Sequence, residues 1–306
     1  MKKMWKRKRA ACLALVLVML LGLGLSGCGK KEDKHVIRLG TKDFTENVII
    51  GRVYASALED AGYEVEVIEN IAGSIIHTSL VNDEIDLYPE YTGTGLLSIL
   101  KMDVMTDAQK VYDTVKDEYK KQFDLVWLDY SAANDGQGLV IRTETAERLG
   151  ITTISDVQKN ASALRFASQG EFDEREDGMK GLEKLYGPFE WKSSKVYSNG
   201  LKYSLLLNDE ADVAPAYTTE GQLVQPEFTL LVDDKQLWPP YNLAPVVRQN
   251  VLDEYPEIED LLNKVSALLT TENVTALNAK VDVEKQEADE VAEEFYGTIK
   301  DQIFAE

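Results

Sequence analysis

Three segments place tyrosines where a strand should run into its following loop or where the chain should cross between halves: Tyr88 and Tyr91 in DLYPEYTGTG, Tyr217 in APAYTTEG and Tyr241 in WPPYNLAP. Open α/β sheets bind ligands beyond the carboxyl ends of their strands, so these rings are set to converge on one cleft. Each ring face turned toward a cation attracts it by about 0.5–2 kcal/mol and asks no hydrogen bond of it. A quaternary ammonium group, which has none to give, is the ligand chemistry that fits. For any single tyrosine among the 14 in the chain, packing is the competing role.

Other chemistries are poorly supplied. The two cysteines are Cys12 and Cys28, both at the N-terminal end, so the folded body has no thiol for a disulfide, a metal site or a nucleophile. The two histidines are His35 and His77, and His35 falls in a charged tether, so a zinc site or a Ser-His-Asp triad would rest on His77 alone. Glu90 and Glu171 leave an extracellular enzyme acting on small cations as a remote alternative, but acid pairs arise by chance among 53 Asp and Glu. Composition thus disfavours a hydrolase and points to no metal and no cofactor.

The first 28 residues say where it works. Lys2, Lys3, Lys6, Arg7, Lys8 and Arg9 form a basic leader, and the apolar run Ala10 to Leu25 is followed by Ser26, Gly27 and Cys28. The run falls short of the roughly 20 apolar residues of a membrane span. Small residues directly before Cys28 fit a bacterial lipobox, which predicts cleavage after residue 27 and lipid on Cys28, with 28–35 as tether. Two acyl signals then anchor the protein stably on the outer face of the cell membrane. Without residues 1–27 the chain keeps 27 Lys and Arg against 53 Asp and Glu, a net charge of −26. So acidic a surface argues against nucleic acid as a partner and favours small cations.

The elements that position the tyrosines follow from periodicity. His35–Gly40 reads as a buried strand. Glu46–Ala61 has helical spacing with Thr45 as N-cap and Gly62 just beyond, and Tyr63–Glu69 alternates as a strand. This is a βαβ unit. Ile85–Tyr88, Leu125–Leu128, Arg165–Ser168, Val213–Tyr217 and Ala244–Arg248 read as further strands. Helices are expected over 74–81, 93–100, 107–122, 178–186, 201–207, 257–269 and 289–303. No short internal repeat stands out. Two α/β halves emerge, joined by crossing segments near 130–137 and 232–240, with the ligand between them.

GTKDFTEN (40–47), EIDLYPEYTGTG (84–95), AYTTEG (216–221) and PPYNLAPVVR (239–248) resemble the substrate-binding proteins of osmoprotectant ABC importers, the glycine betaine, carnitine and choline family. ASQGEFDERED (167–177) and LNAKVDVE (277–284) are similar to the same family, and the likeness runs through nearly all of 36–300. The resemblance implies a two-lobed type II periplasmic-binding-protein clamp of the α/β class, with residues 36–133 and 238–306 in lobe 1 and 134–237 in lobe 2. It implies Tyr91, Tyr217 and Tyr241 as cage walls, Lys42, Thr94 and Arg175 as holders of a ligand carboxylate, and Asp135 beside the ammonium. It also implies a membrane permease and a cytoplasmic ATPase as partners. The chain departs from the family pattern where Gln137 stands in place of a fourth aromatic. Three tyrosines, an amide and an acid then form the cage, unless Tyr130 swings in. That loss favours a ligand with a hydrogen-bonding group, such as ergothioneine, as the alternative.

Overall fold

This computed structural model describes residues 36–305, the side chain of Asn199 excepted; the leader, Cys28 and the tether through His35 lie outside the described residues. Short, mostly apolar runs build two five-stranded sheets, and the central strands are buried along nearly their whole length. The first contains β1 (Val36–Lys42), β2 (Glu64–Ile71), β3 (Leu87–Tyr91) and β4 (Leu125–Trp127). The second contains β5 (Gln137–Arg142), β6 (Arg165–Ser168), β7 (Ser193–Val196), β8 (Val213–Tyr217) and β9 (Phe228–Leu230). The returning strand β10 (Leu243–Arg248) completes the first sheet, giving the orders β2-β1-β3-β10-β4 and β7-β6-β8-β5-β9. In each sheet three strands run parallel and the strand next to a crossing pairs antiparallel with the third.

Both faces of each sheet are apolar, because helices cover both. On β3, Leu87 and Tyr91 join the core shared with the helix Thr45–Asp60, whereas Tyr88 joins the opposite one with Tyr119 and Trp127. Tyr88 is fully buried and donates its hydroxyl to Glu90 Oε2 at 2.9 Å, so it is a core residue. The sequence reading, which ends this strand at Tyr88 and places the ring in a loop, is corrected by one turn of pleat: β3 runs on to Tyr91.

The two halves repeat a motif that the sequence reading does not register. NDEIDLYPEYTGTG (82–95) is matched by NDEADVAPAYTTEG (208–221). Asp83 and Asp209 both take left-handed backbone, with φ of 64° and 57°. Arg38 at the start of β1 donates to Asp86, Nε to Oδ2 at 3.1 Å, and Arg165 at the start of β6 donates to Asp212 in the same way at 2.8 Å. Arg248 closing β10 joins the first cluster, and Arg142 closing β5 joins the second. Tyr91 and Tyr217 therefore hold equivalent positions, each ending the third parallel strand of its sheet. The repeat escapes inspection because its short identical stretches lie 126 residues apart, between segments that have diverged.

Segments 128–136 and 231–242 link the sheets and run side by side, bridged at Asn134 and Asn242. The Asp135 amide donates to Tyr241 O and the Leu243 amide to Ala133 O, each at 3.1 Å. The C-terminal helix Ala288–Ile303 packs on Thr45–Asp60, with the Tyr296 hydroxyl on Asp60 at 2.6 Å. The sequence reading contains no helix at Thr271–Asp282. A Thr270/Asn273 capping box starts it, and it touches both halves. It passes so close to Gly221 that a Cβ there would lie 2.5 Å from the backbone of Asn278 and Ala279.

Candidate functional site

The cleft between the sheets holds a cavity of about 330 Å³, and Lys42, Tyr91, Thr94, Asp135, Gln137, Arg175, Tyr217 and Tyr241 all line it. Strand ends deliver Lys42, Tyr91 and Tyr217; the start of β5 delivers Gln137; the linking segments deliver Asp135 and Tyr241. The Tyr241 ring lies against the turn after β3. Gly93 makes room for it, since a Cβ there would meet the ring at 2.6 Å.

A fourth aromatic ring lines the same cavity, from a position the sequence reading does not single out. Phe44, in the turn between β1 and the helix Thr45–Asp60, has its ring centroid 6.0 Å from that of Tyr91 and 6.4 Å from that of Tyr217. Tyr130 instead packs on Tyr112 and donates to Gln109. Phe44 thus brings a fourth ring to the cavity from the first half, where residue 137 of the second is a glutamine. Thr45, expected as N-cap, is the first residue of the helix, and its hydroxyl donates to Asp282 at 2.6 Å.

Both cations of the cavity have acids built in. Lys42 Nζ pairs with buried Glu90 and sits 5.1 Å from the Tyr91 ring centroid. Arg175 grips Asp177 with both prongs, Nε to Oδ1 at 2.7 Å and Nη2 to Oδ2 at 2.6 Å. Its Nη1 lies 3.8 Å from Glu171, beyond hydrogen-bond length. Asp177 also receives Tyr241 Oη at 2.5 Å and Gln137 Nε2 at 3.3 Å. Burial acts to raise its pKa, but the hydrogen bonds and charge of Arg175 outweigh burial and hold it below the usual carboxylate range. Asp177 was visible as the last acid of ASQGEFDERED, but nothing in its spacing sets it apart from the acids around it.

Beside this cavity lies a second one of about 270 Å³, sharing Asp43, Phe44, Asp135 and Tyr217 as a common wall. Here the two halves touch. Glu46 from the first sheet's helix accepts from Thr219 beyond β8 at 2.5 Å, from Asn278 at 2.9 Å and from the Tyr91 hydroxyl at 2.8 Å. His77 lines neither cavity; it packs edge-on against Tyr119 and Phe123, and burial lowers its pKa. Among the described residues no group of three or more His, Cys, Asp or Glu is arranged to hold a metal ion, and no helix is long and apolar enough to cross a membrane.

Comparison with known proteins places this architecture. Residues 35–298 match the family model described as the substrate-binding domain of ABC-type glycine betaine transport systems. A glycine-betaine-binding protein of Pseudomonas aeruginosa is 34% identical over 297 residues, covering 94% of this chain and 93% of that protein. An ergothioneine transport permease/ergothioneine binding protein of Helicobacter pylori is 31% identical over 295 residues, covering 95% of this chain and 52% of that protein. A crystal structure described as a glycine betaine/carnitine/choline ABC transporter superposes with a TM-score of 0.74 at 28% identity, covering 86% of this chain and 98% of that one. Two mixed sheets facing one cleft are the type II periplasmic-binding-protein fold that the solved relative shares. The chain belongs to the substrate-binding family of ABC-type glycine betaine transport systems, as a non-enzymatic binding protein of an importer for quaternary-ammonium compatible solutes.

Proposed function

We propose that this protein captures glycine betaine, choline or carnitine in the ring-lined cleft and hands it to a permease driven by a cytoplasmic ATPase. The observation that carries this reading is the cavity wall: Phe44, Tyr91, Tyr217 and Tyr241 around a space whose two cations are already paired. A simple anion would have to compete with Glu90 and Asp177. A cation meets four ring faces. In a zwitterion the carboxylate turns to Arg175 Nη1 and the remaining Lys42 protons, which keep donor capacity beyond their built-in acids.

The lobes are 36–133 with 238–306 and 134–237, and the ligand favours closure because it touches both. Lys42, Phe44, Tyr91 and Thr94 grip it from one side, Gln137, Arg175 and Tyr217 from the other, with Asp135 and Tyr241 at the hinge. A clamp closes only on contacts that the open state lacks. Lipid on Cys28 holds the receptor at the outer face of the membrane beside the permease.

Ergothioneine is the second reading. Gln137 donates its amide to Asp177 and keeps an acceptor oxygen for a ring N–H. A relative described as binding ergothioneine supports it. Thermal shift with glycine betaine, choline, carnitine, proline betaine and ergothioneine decides, since a ligand at 100 times its Kd stabilises by about 2.7 kcal/mol. Stabilisation by at least one trimethylammonium compound is expected. A shift with none of them at millimolar concentration contradicts the proposal.

A further inference from the structure

Glu46 and Asp135 meet on one hydroxyl. Thr219 Oγ1 lies 2.5 Å from Glu46 Oε2 and 2.6 Å from Asp135 Oδ1. A hydroxyl carries one hydrogen and can donate to one of them. With both acids ionised, one of the two oxygen–oxygen contacts would hold no proton. At least one acid is therefore protonated and donates to Thr219. Glu46 is the better supplied, since it also accepts from Tyr91 Oη at 2.8 Å and Asn278 Nδ2 at 2.9 Å. Asp135 accepts besides from the Thr219 amide at 3.3 Å. The proton accordingly belongs to Asp135, and donation runs from Asp135 to Thr219 to Glu46.

The surroundings give no relief to a second negative charge. Asp43 precedes the helix that carries Glu46, Asp282 ends the helix packed behind it, and Glu220 faces both acids. Lys202 is paired with Glu220 and Lys42 with Glu90, so both nearby cations are taken. Burial, first among the causes, pushes both acids upward, and the charge of Glu46 adds to the effect on Asp135.

Asp135 also lines the ring cage, so its carboxyl group borders the space the ligand would fill. We infer that Asp135 is a charge-adapting wall that sets which ligands one pocket accepts: it stays neutral beside a zwitterion and releases its proton to solvent when the ligand is a net cation. The inference rests on the proposed quaternary-ammonium ligand. In the exchange the Asp135 O–H bond breaks, its electron pair stays on the carboxylate and the ligand's positive charge takes the place of the proton's. The total charge of the site is unchanged. A betaine brings both charges and requires no exchange.

The test is calorimetric titration of choline and glycine betaine into the wild-type protein, in two buffers of different ionisation enthalpy at each of several pH values around neutral. Choline should release up to about one proton, and its affinity should rise by up to about tenfold per pH unit while Asp135 is protonated. Glycine betaine should release markedly less and bind with nearly constant affinity. Asp135→Asn should abolish the pH slope for choline and lower its affinity more than that for glycine betaine. If both ligands bind with equal proton counts, zero included, the charge-adapting wall is overturned while the ligand reading stands. If neither binds, the ligand reading falls and this inference with it.

Discussion

Phe44→Leu is the cleanest perturbation of the cage. The other rings carry second duties: the Tyr91 hydroxyl serves Glu46 and the Tyr241 hydroxyl serves Asp177, so truncating either also strips a donor from a buried acid. Phe44 makes ring contacts with Tyr91 and Tyr217, has no polar atom in its side chain and is half-buried. Leucine keeps the apolar bulk and removes the π face. One ring is worth about 0.5–2 kcal/mol to a trimethylammonium group, so the Kd for choline should rise about 2- to 30-fold. Folding stability should fall by no more than about 1 kcal/mol, because the swap is nearly volume-conserving at a partly exposed position. Calorimetry gives the first quantity and urea unfolding without ligand gives the second. The uncharged isostere of choline, 3,3-dimethylbutanol, separates charge from shape. If the variant loses as much affinity for the neutral isostere as for choline, or loses none for either, Phe44 is not a cation-binding wall.

Three more predictions follow from the packing. Arg175→Ala leaves buried Asp177 with Tyr241 and Gln137 as its remaining side-chain donors and should cost about 3 kcal/mol of stability, whereas Asp177→Asn unmasks the guanidinium and should weaken choline more than glycine betaine; unchanged melting of the first, or equal losses for the second, contradicts the pairing. Gly93→Ala drives a methyl into the Tyr241 ring and should weaken binding by at least about tenfold while the far-UV spectrum is preserved; binding at wild-type strength would show that the ring can shift freely. Because the folded-state pKa of Asp135 is raised, its contribution to stability is full below the unfolded value of about 4 and is lost as pH rises toward the folded value. Asp135→Asn should flatten the ligand-free stability profile over that interval, and a variant profile parallel to wild type would refute it.

The parallel framework was legible because its signals are local. Arg165–Ser168 and Val213–Tyr217 are short apolar runs bounded by breakers, and both strands have the limits read from sequence. The short edge strands β7 and β9 were not legible, since Ser193–Val196 is mostly exposed and Phe228–Leu230 has three residues, leaving no period to read. The helix Thr271–Asp282 was missed because it packs against both halves and lacks a single apolar stripe. All eight expected residues line one cavity because six of them end or begin strands or lie in the links, and Thr94 and Arg175 sit on the helical turns that follow β3 and β6. Phe44 and Asp177 were missed for a different reason. A phenylalanine in a turn and one acid among many acquire meaning only when the other sheet is brought up against them.

The central claim is that four rings from both halves surround a quaternary nitrogen. A crystal structure of the protein with glycine betaine or choline tests it directly. The nitrogen should lie within about 6 Å of the ring centroids of Phe44, Tyr91, Tyr217 and Tyr241, on the side of Asp135. A ligand seated in the second cavity, or one whose ammonium points away from the four rings, would contradict it.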